Sequence, residues 1–247
     1  MTELTMGSLF DGIGGFPLAA IHAGIEPVWA SEIEPFPISV TKLRFPNMIH
    51  MGDITKLDGA KLPPVDIICG GSPCQDLSVA GARAGLDGAR SGLLLEQIRI
   101  IKEMRNADKA RGRTDISVRP RFCVWENVPG VFSSTEGKDF QAVLREFIQI
   151  EEPQMDVARP PTGRWEYAGA VLGIRSCVAW ATWDAQYFGV PQRRKRIFLV
   201  ADFAGYSPIQ ILFDQDRLLG NTAESEGTWE ATAENAGNSP DTAGRNK

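Results

Sequence analysis

The residues best equipped for chemistry in this sequence are a thiol, a carboxylate and a run of cations. Cys74 stands in Gly70-Gly71-Ser72-Pro73-Cys74-Gln75-Asp76-Leu77-Ser78, directly after the apolar run Val65-Asp66-Ile67-Ile68-Cys69. A β-branched run that ends in two glycines reads as a buried strand leaving its sheet through a tight turn. Pro73 locks its own φ and pushes Ser72 towards extended geometry, so Cys74 follows a stiff turn at a fixed angle. A thiol presented in this way suits a nucleophile. Taken alone, the same cysteine reads at least as well as a small buried apolar side chain. Glu126 ends a second apolar run, Phe122-Cys123-Val124-Trp125, and reaches the same edge of the sheet. Gln192 precedes four consecutive cations, Arg193-Arg194-Lys195-Arg196, which lead into the apolar Ile197-Phe198-Leu199-Val200. Such a run is a solvated face in most proteins, but beside a thiol it could instead hold phosphates.

Three loops at the ends of predicted strands carry groups suited to a nucleoside. The first strand, Thr5-Met6-Gly7-Ser8-Leu9-Phe10, runs into Asp11-Gly12-Ile13-Gly14-Gly15-Phe16, and Leu18-Ala19-Ala20-Ile21 then opens a helix. Glycines let the backbone approach a ligand, and the helix amino end offers free N–H groups to a carboxylate or phosphate. Tight strand-to-helix turns also use glycine for steric reasons alone. Glu32 closes the second strand, Glu26 to Glu32, and lies 20 residues beyond Gly12. That is near the offset at which an acid meets ribose hydroxyls in doubly wound folds, although a strand-end Glu is as often a solvated cap. A weakly marked third strand at Met48-Ile49-His50 precedes Gly52-Asp53-Ile54. The Asp53 carboxylate could accept from an adenine amino group or simply cap the turn.

The elements that must position these groups follow in α/β order. Leu77 to Gly92 is rich in glycine and carries Arg83 and Arg90, a composition suited to a loop that closes over a polyanion. Leu93 to Met104 has helical periodicity, and residues 106–120 read as an exposed basic loop. Lys138 to Ile150 reads as an amphipathic helix, 151–164 as a loop, Trp165 to Arg175 as a further helix and Cys177 to Trp183 as a strand. In 247 residues this makes one α/β domain over 1–213, followed by an acidic tail over 214–247 in which disorder is expected. No apolar run approaches the roughly 18 residues of a spanning helix. The start, Met1-Thr2-Glu3-Leu4-Thr5, lacks the basic region of a signal peptide, so a cytoplasmic location is expected, with no membrane partner. Four cysteines and two histidines form neither a zinc pattern nor a disulfide framework. The net charge of −5 is unevenly spread: residues 99–121 hold eight basic against three acidic side chains, and the tail holds seven acidic against three basic.

Taken in order, Phe10-x-Gly12-x-Gly14, Gly52-Asp53-Ile54, Gly71-Ser72-Pro73-Cys74-Gln75, Glu126-Asn127-Val128 and Gln192-x-Arg194-x-Arg196 resemble the motifs of the DNA cytosine-5 methyltransferases. The resemblance spans roughly residues 4–202, and the stretch after Cys74 looks more like the prokaryotic and phage enzymes than the related tRNA enzyme. It implies a Rossmann-like S-adenosylmethionine-dependent methyltransferase fold: a mostly parallel twisted sheet with helices on both faces and a final antiparallel hairpin strand. It implies S-adenosylmethionine as cofactor, held by Phe10, Asp11, Gly12, Gly14 and Gly15, by Glu32 with Ile33 at the ribose, by Asp53 with Ile54 at the adenine, and by Pro73. It makes Cys74 the nucleophile that adds to cytosine C6, Glu126 the group that holds the N3 edge, and Arg194 and Arg196 the cations about the bound base. Gln75, Ser78, Arg83, Arg90 and Gln192 are the implied DNA contacts, with double-stranded DNA as partner and the loop from Gln75 to Ser91 closing behind a flipped base.

The resemblance is incomplete. Family members continue past the Gln-x-Arg-x-Arg segment into a target-recognition domain and two late motifs, the last of them a helix that returns to the cofactor pocket. Only 51 residues follow Arg196 in this sequence. The expectation is therefore a catalytic half that works with a separate target-recognition polypeptide and that exposes an apolar patch near the first strand. A non-catalytic DNA-binding or partner-binding remnant and a tRNA cytosine-5 methyltransferase are the alternative readings.

Overall fold

The computed structural model describes residues 4–73 and 92–213. The expected loop closure with Cys74, Gln75, Ser78, Arg83 and Arg90, and the expected tail over 214–247, lie outside the described residues.

Among those described, eight strands form one sheet: β1 (Thr5–Leu9), β2 (Glu26–Ser31), β3 (Ile49–His50), β4 (Ile67–Gly70), β5 (Phe122–Asn127), β6 (Ala168–Leu172), β7 (Cys177–Asp184) and β8 (Lys195–Asp202). Their order is β3-β2-β1-β4-β5-β8-β7-β6. The first five run parallel, β8 pairs antiparallel between β5 and β7, and β6 closes the far edge antiparallel to β7. The helices are α1 (Gly15–His22), α2 (Pro35–Arg44), α3 (Gly92–Ala110), α4 (Lys138–Ile148) and α5 (Ser207–Phe213). The expected mostly parallel sheet with an antiparallel hairpin at its end is the one observed.

Both faces of the sheet are covered, as parallel strands require. Leu94, Ile98 and Ile101 of α3 and Phe140, Val143 and Phe147 of α4 pack on one face with Trp29, Ile68, Cys123 and Trp125. On the other face Met6, Cys69 and Val124 meet Ala20 of α1, while Ala179 and Val200 meet Leu212 of α5. Gly7 is a steric necessity at this core. A Cβ there would stand 2.3 Å from Cζ2 of Trp29, whose fully buried indole crosses the β1 backbone.

Two expectations are corrected. Trp165 to Arg175 is not a helix, because Ala168–Leu172 forms the edge strand β6. A Cβ on Gly169 would lie 2.5 Å from the Trp180 indole of β7, so only glycine lets the strands pair this closely, and glycine also weakens a helix. The segment 106–120 is an exposed basic loop only in part, over residues 111–117. Helix α3 runs on to Ala110, and its Arg99, Arg105 and Lys109 pair with acids of the chain. Arg105, only 2% exposed, holds Glu151 at 2.7 Å, and buried Asp108 gathers Arg111, Arg113 and Arg119 at 3.5–3.6 Å.

Candidate active site

The strand order reverses between β1 and β4, which leaves a crevice outside their carboxyl ends, where open α/β sheets bind ligands. Leu9 pairs with both Ser31 and Gly70, and Gly70 pairs with Trp125, so Phe10, Glu32 and Gly71 leave the sheet at the level of Glu126, which still pairs with β8. Phe10 sits at φ 54°, left-handed backbone that an aromatic residue seldom adopts, and this turns the chain sharply into the glycine loop. Gly14, at φ 87°, caps α1. A Cβ at Gly12, Gly15 or Gly52 would meet nothing within 4 Å, so the loop and the turn after β3 face open space.

Carboxylates line this crevice. Glu32 accepts from the Gly12 amide at 2.8 Å and from the Ile33 and Glu34 amides at 2.7 and 2.9 Å, tying the first two loops together. Asp53 accepts from the Thr55 amide and hydroxyl at 3.0 and 2.8 Å, and these bonds hold its carboxyl below the usual range. Its capping role is thus filled within its own turn. Asp11 is buried, accepts the Ser8 hydroxyl at 2.6 Å through Oδ1, and has no partner at Oδ2. Burial pushes its carboxyl up to about 6, against the pull of Ser8 and with a further push from Glu32. Ile33 is exposed, whereas Ile54 is buried beneath the turn.

On the β5 side of the crevice, Glu126 and Arg196 form an ion pair, Nε to Oε1, at 2.8 Å. Strand register brings them together, since Glu126 pairs with Phe198 across the antiparallel β5–β8 ladder. The carboxylate also abuts the turn below Cys74: a Cβ on Gly71 would stand 3.1 Å from Glu126 Oε2. That turn is anchored by the Trp125 indole donating to the Ser72 hydroxyl and the Asn127 amide donating to the Ser72 carbonyl, both at 3.0 Å. Pro73 is exposed at its end. Arg194 and Gln192 lie on an exposed turn; the Arg194 amide is held by Asp184 at 2.9 Å. The described structure therefore brings Glu126 and Arg196 together and leaves the Arg194 side chain in solvent.

Sequence reasoning missed Ser72 as an anchor and Ser8 as the partner of Asp11. The spacing Ser8-x-x-Asp11 at a strand end is a usable signal for such a local pair. The Ser72 contacts span 53 and 55 residues, and no local pattern reports them.

Loops of this kind at the switch point of a parallel sheet define a Rossmann-like α/β fold, here with an antiparallel hairpin at its end. The most informative solved structure is described as a DNA modification methyltransferase encoded within a prophage of E. coli. It aligns with a TM-score of 0.54 and 22% identity over 81% of this chain and 47% of the other, which speaks to the fold. The family profile of the C-5 cytosine-specific DNA methylases matches residues 4–216, and the chain belongs to that family. It is 32% identical over 212 residues to the Type II methyltransferase M.AquIA of Picosynechococcus, covering 82% of this chain and 73% of that protein. It is 31% identical to M2.BsuMI of Bacillus subtilis, covering 85% of this chain and 44% of the relative. It is 35% identical over 245 residues to a protein of Escherichia phage P1 named a DNA N-6-adenine-methyltransferase, covering 90% of this chain but 32% of that protein. The chain thus spans less than half the length of the phage and Bacillus relatives.

The methyl donor of this family is S-adenosylmethionine. The crevice fits such a group: open space at Gly12, Gly15 and Gly52, carboxylates at three successive strand ends, and one buried acceptor atom without a partner.

Proposed function

We propose that this chain carries the catalytic chemistry of a DNA cytosine-5 methyltransferase. The observation that supports it most is the Glu126–Arg196 pair set against the Gly71-Ser72-Pro73 turn that leads to Cys74. Cytosine C5 is a poor nucleophile, and a thiolate added at C6 makes it enamine-like. Cys74 is the proposed thiolate. Glu126 would share a proton with N3 as charge builds on the ring, and Arg196 would hold Glu126 in place and neutralise the pocket. Arg194 and Gln192, on the exposed turn, are proposed to grip the DNA backbone, as are Gln75, Ser78, Arg83 and Arg90. S-adenosylmethionine, when bound, supplies the methyl group. Phe10, Asp11, Gly12, Gly14, Gly15, Glu32, Ile33, Asp53, Ile54 and Pro73 are the residues proposed to hold it. Loss of the C5 proton then expels Cys74. The target atom lies within the duplex stack, so the base must be flipped out.

Trapping on a duplex containing 5-fluorocytosine, followed by nucleoside analysis of methylated DNA, tests this reading. The expected result is a covalent complex and 5-methylcytosine with the wild-type chain, and neither with Cys74→Ser. N6-methyladenine as product, or methylation that survives Cys74→Ser, would overturn it, because an exocyclic amine can be methylated without a thiol. Binding of DNA without either product, even with a target-recognition polypeptide supplied, would favour a non-catalytic remnant, and tRNA as the better substrate would favour the RNA enzyme.

Double-stranded DNA is the proposed substrate, and the cytoplasm the proposed location. No helix among the described residues is long and apolar enough to cross a membrane. A separate target-recognition polypeptide is proposed as partner, docking on the apolar surface of α1 and α2. There Leu18 and Ile21, and Ile33, Phe36 and Leu43, are exposed on neighbouring elements, Phe36 by 73% and Leu43 by 85%. Sequence-specific methylation by the purified chain alone would count against this partner.

A further inference from the structure

Asp11 is an unusual acid for its position. The residue is 6% exposed, and Oδ2 is buried with no hydrogen-bond partner among the described residues, in the loop by which β1 leaves the sheet beside the β1–β4 crevice. The backbone that places it is strained, with Phe10 held at φ 54° immediately before it. Its charged and titratable neighbours are Glu32 from the end of β2 and Cys69 from β4; Ser8 on its own strand donates the one hydrogen bond that its carboxyl accepts among the described residues. None of these is a cation. A buried carboxyl in such company holds its proton well above the ordinary carboxylate range, to about 6. What would favour its ionised form is a positive charge delivered to the free oxygen.

We propose that Asp11 is the counter-ion for the cationic end of the bound cofactor, so that cofactor binding and deprotonation of Asp11 are one coupled event. This rests on the reading of the crevice as the cofactor site. Glu32 is poorly suited to the role, since its oxygens already accept three backbone amides. Asp53 is likewise engaged with Thr55 and Lys56. Asp11 alone of the three crevice acids keeps one buried oxygen free. The proton displaced from it passes to solvent, and no other reactant is needed. The coupling also gives the crevice a discriminating element: a ligand of the same shape without the positive charge would meet either a protonated acid or an uncompensated buried carboxylate.

Calorimetric titration of the whole chain with S-adenosylmethionine, S-adenosylhomocysteine and adenosine tests the inference. Each titration is run between about pH 5 and 7.5 in two buffers of different ionisation enthalpy. For wild type, affinity for S-adenosylmethionine should be about tenfold weaker at about pH 5 than at about pH 7.5, with close to one proton released per ligand at the lower pH. Adenosine should show neither effect. Equal coupling for S-adenosylhomocysteine would assign the carboxylate to the α-ammonium; coupling for S-adenosylmethionine alone would assign it to the sulfonium. Asp11→Asn should bind weakly at every pH and release no proton, and Ser8→Ala should move the transition to higher pH while keeping it. Binding without proton release, an Asn variant as tight as wild type, or the same coupling with adenosine would overturn the counter-ion alone. Absence of binding by any of the three ligands would overturn the cofactor reading as well.

Discussion

Asp11→Asn should stabilise the cofactor-free protein by an amount that grows with pH. The folded carboxyl titrates at about 6, against 3.8 in the unfolded chain, with burial the largest cause. A raised acid binds its proton more tightly when folded, so its contribution favours folding at low pH and is lost as pH rises from 3.8 through about 6. A gap of roughly 2 pH units at about 1.4 kcal/mol each sets a ceiling near 3 kcal/mol above about pH 7, of which about half is already lost by pH 5. Relaxation around the ionised group lowers this, so the Asn variant should gain about 1–3 kcal/mol at about pH 7.5 and less than about 1 kcal/mol at pH 4. His50 acts with the opposite sign: burial and Lys42 depress it, so its contribution improves as pH rises. It is common to both proteins and cancels in the difference. Urea denaturation of both proteins at four pH values, without cofactor and with equal m-values, gives that difference directly. A difference that does not change with pH, or an Asn variant less stable at about pH 7.5, would refute a buried ionisable Asp11.

Glu126→Gln should leave the fold nearly untouched, since its partner Arg196 is 21% exposed and such pairs contribute about 0–1 kcal/mol. Methyl transfer should fall by about 100-fold or more, and single-turnover assays with thermal melting separate the two effects. Asp202→Asn should behave in the reverse manner. Asp202 is fully buried and takes two hydrogen bonds from Arg121, at 3.0 and 2.9 Å, so breaking the pair should cost roughly 3 kcal/mol by chemical denaturation. The Arg121 guanidinium is the main influence holding the Asp202 carboxyl low against its burial, so the wild type should lose this contribution only as pH falls below 3.8.

Sequence pattern revealed the sheet because its central strands are short apolar runs closed by glycine, proline or acid, and those closures are the site. Phe10, Glu32, Asp53 and Glu126 were legible as strand ends before any register was known. What local pattern could not give was the level at which the ends meet. The contact between Glu126 and Arg196 depends on β8 entering antiparallel beside β5, a pairing across about 70 residues of chain. The edge strand β6 was misread because Ala168-Gly169-Ala170-Val171-Leu172 has no strong period of its own. Its conformation is set by the Trp180 indole beneath Gly169. For the basic segment 99–121, composition counts charges without showing that Glu151, Asp108 and Asp202 lie against them.

The two ends of the sheet therefore use charge differently. At the amino ends of the parallel strands, buried acids and arginines are matched within the chain: Arg105 with Glu151, Asp108 with its three arginines, and Asp202 with Arg121. At the carboxyl ends, Asp11 keeps a free buried oxygen, the glycine loop faces open space, Phe10 holds a strained turn and Arg194 stands in solvent. A buried oxygen without a partner and a strained turn destabilise the chain by itself, and a bound partner can offset that cost. A cofactor cation at Asp11 would compensate one such cost. The same saturating cofactor should then narrow the stability gap between wild type and Asp11→Asn at about pH 7.5, whereas Asp202→Asn should stay just as far below wild type with cofactor as without it, because its lost partner lies at the other end of the sheet.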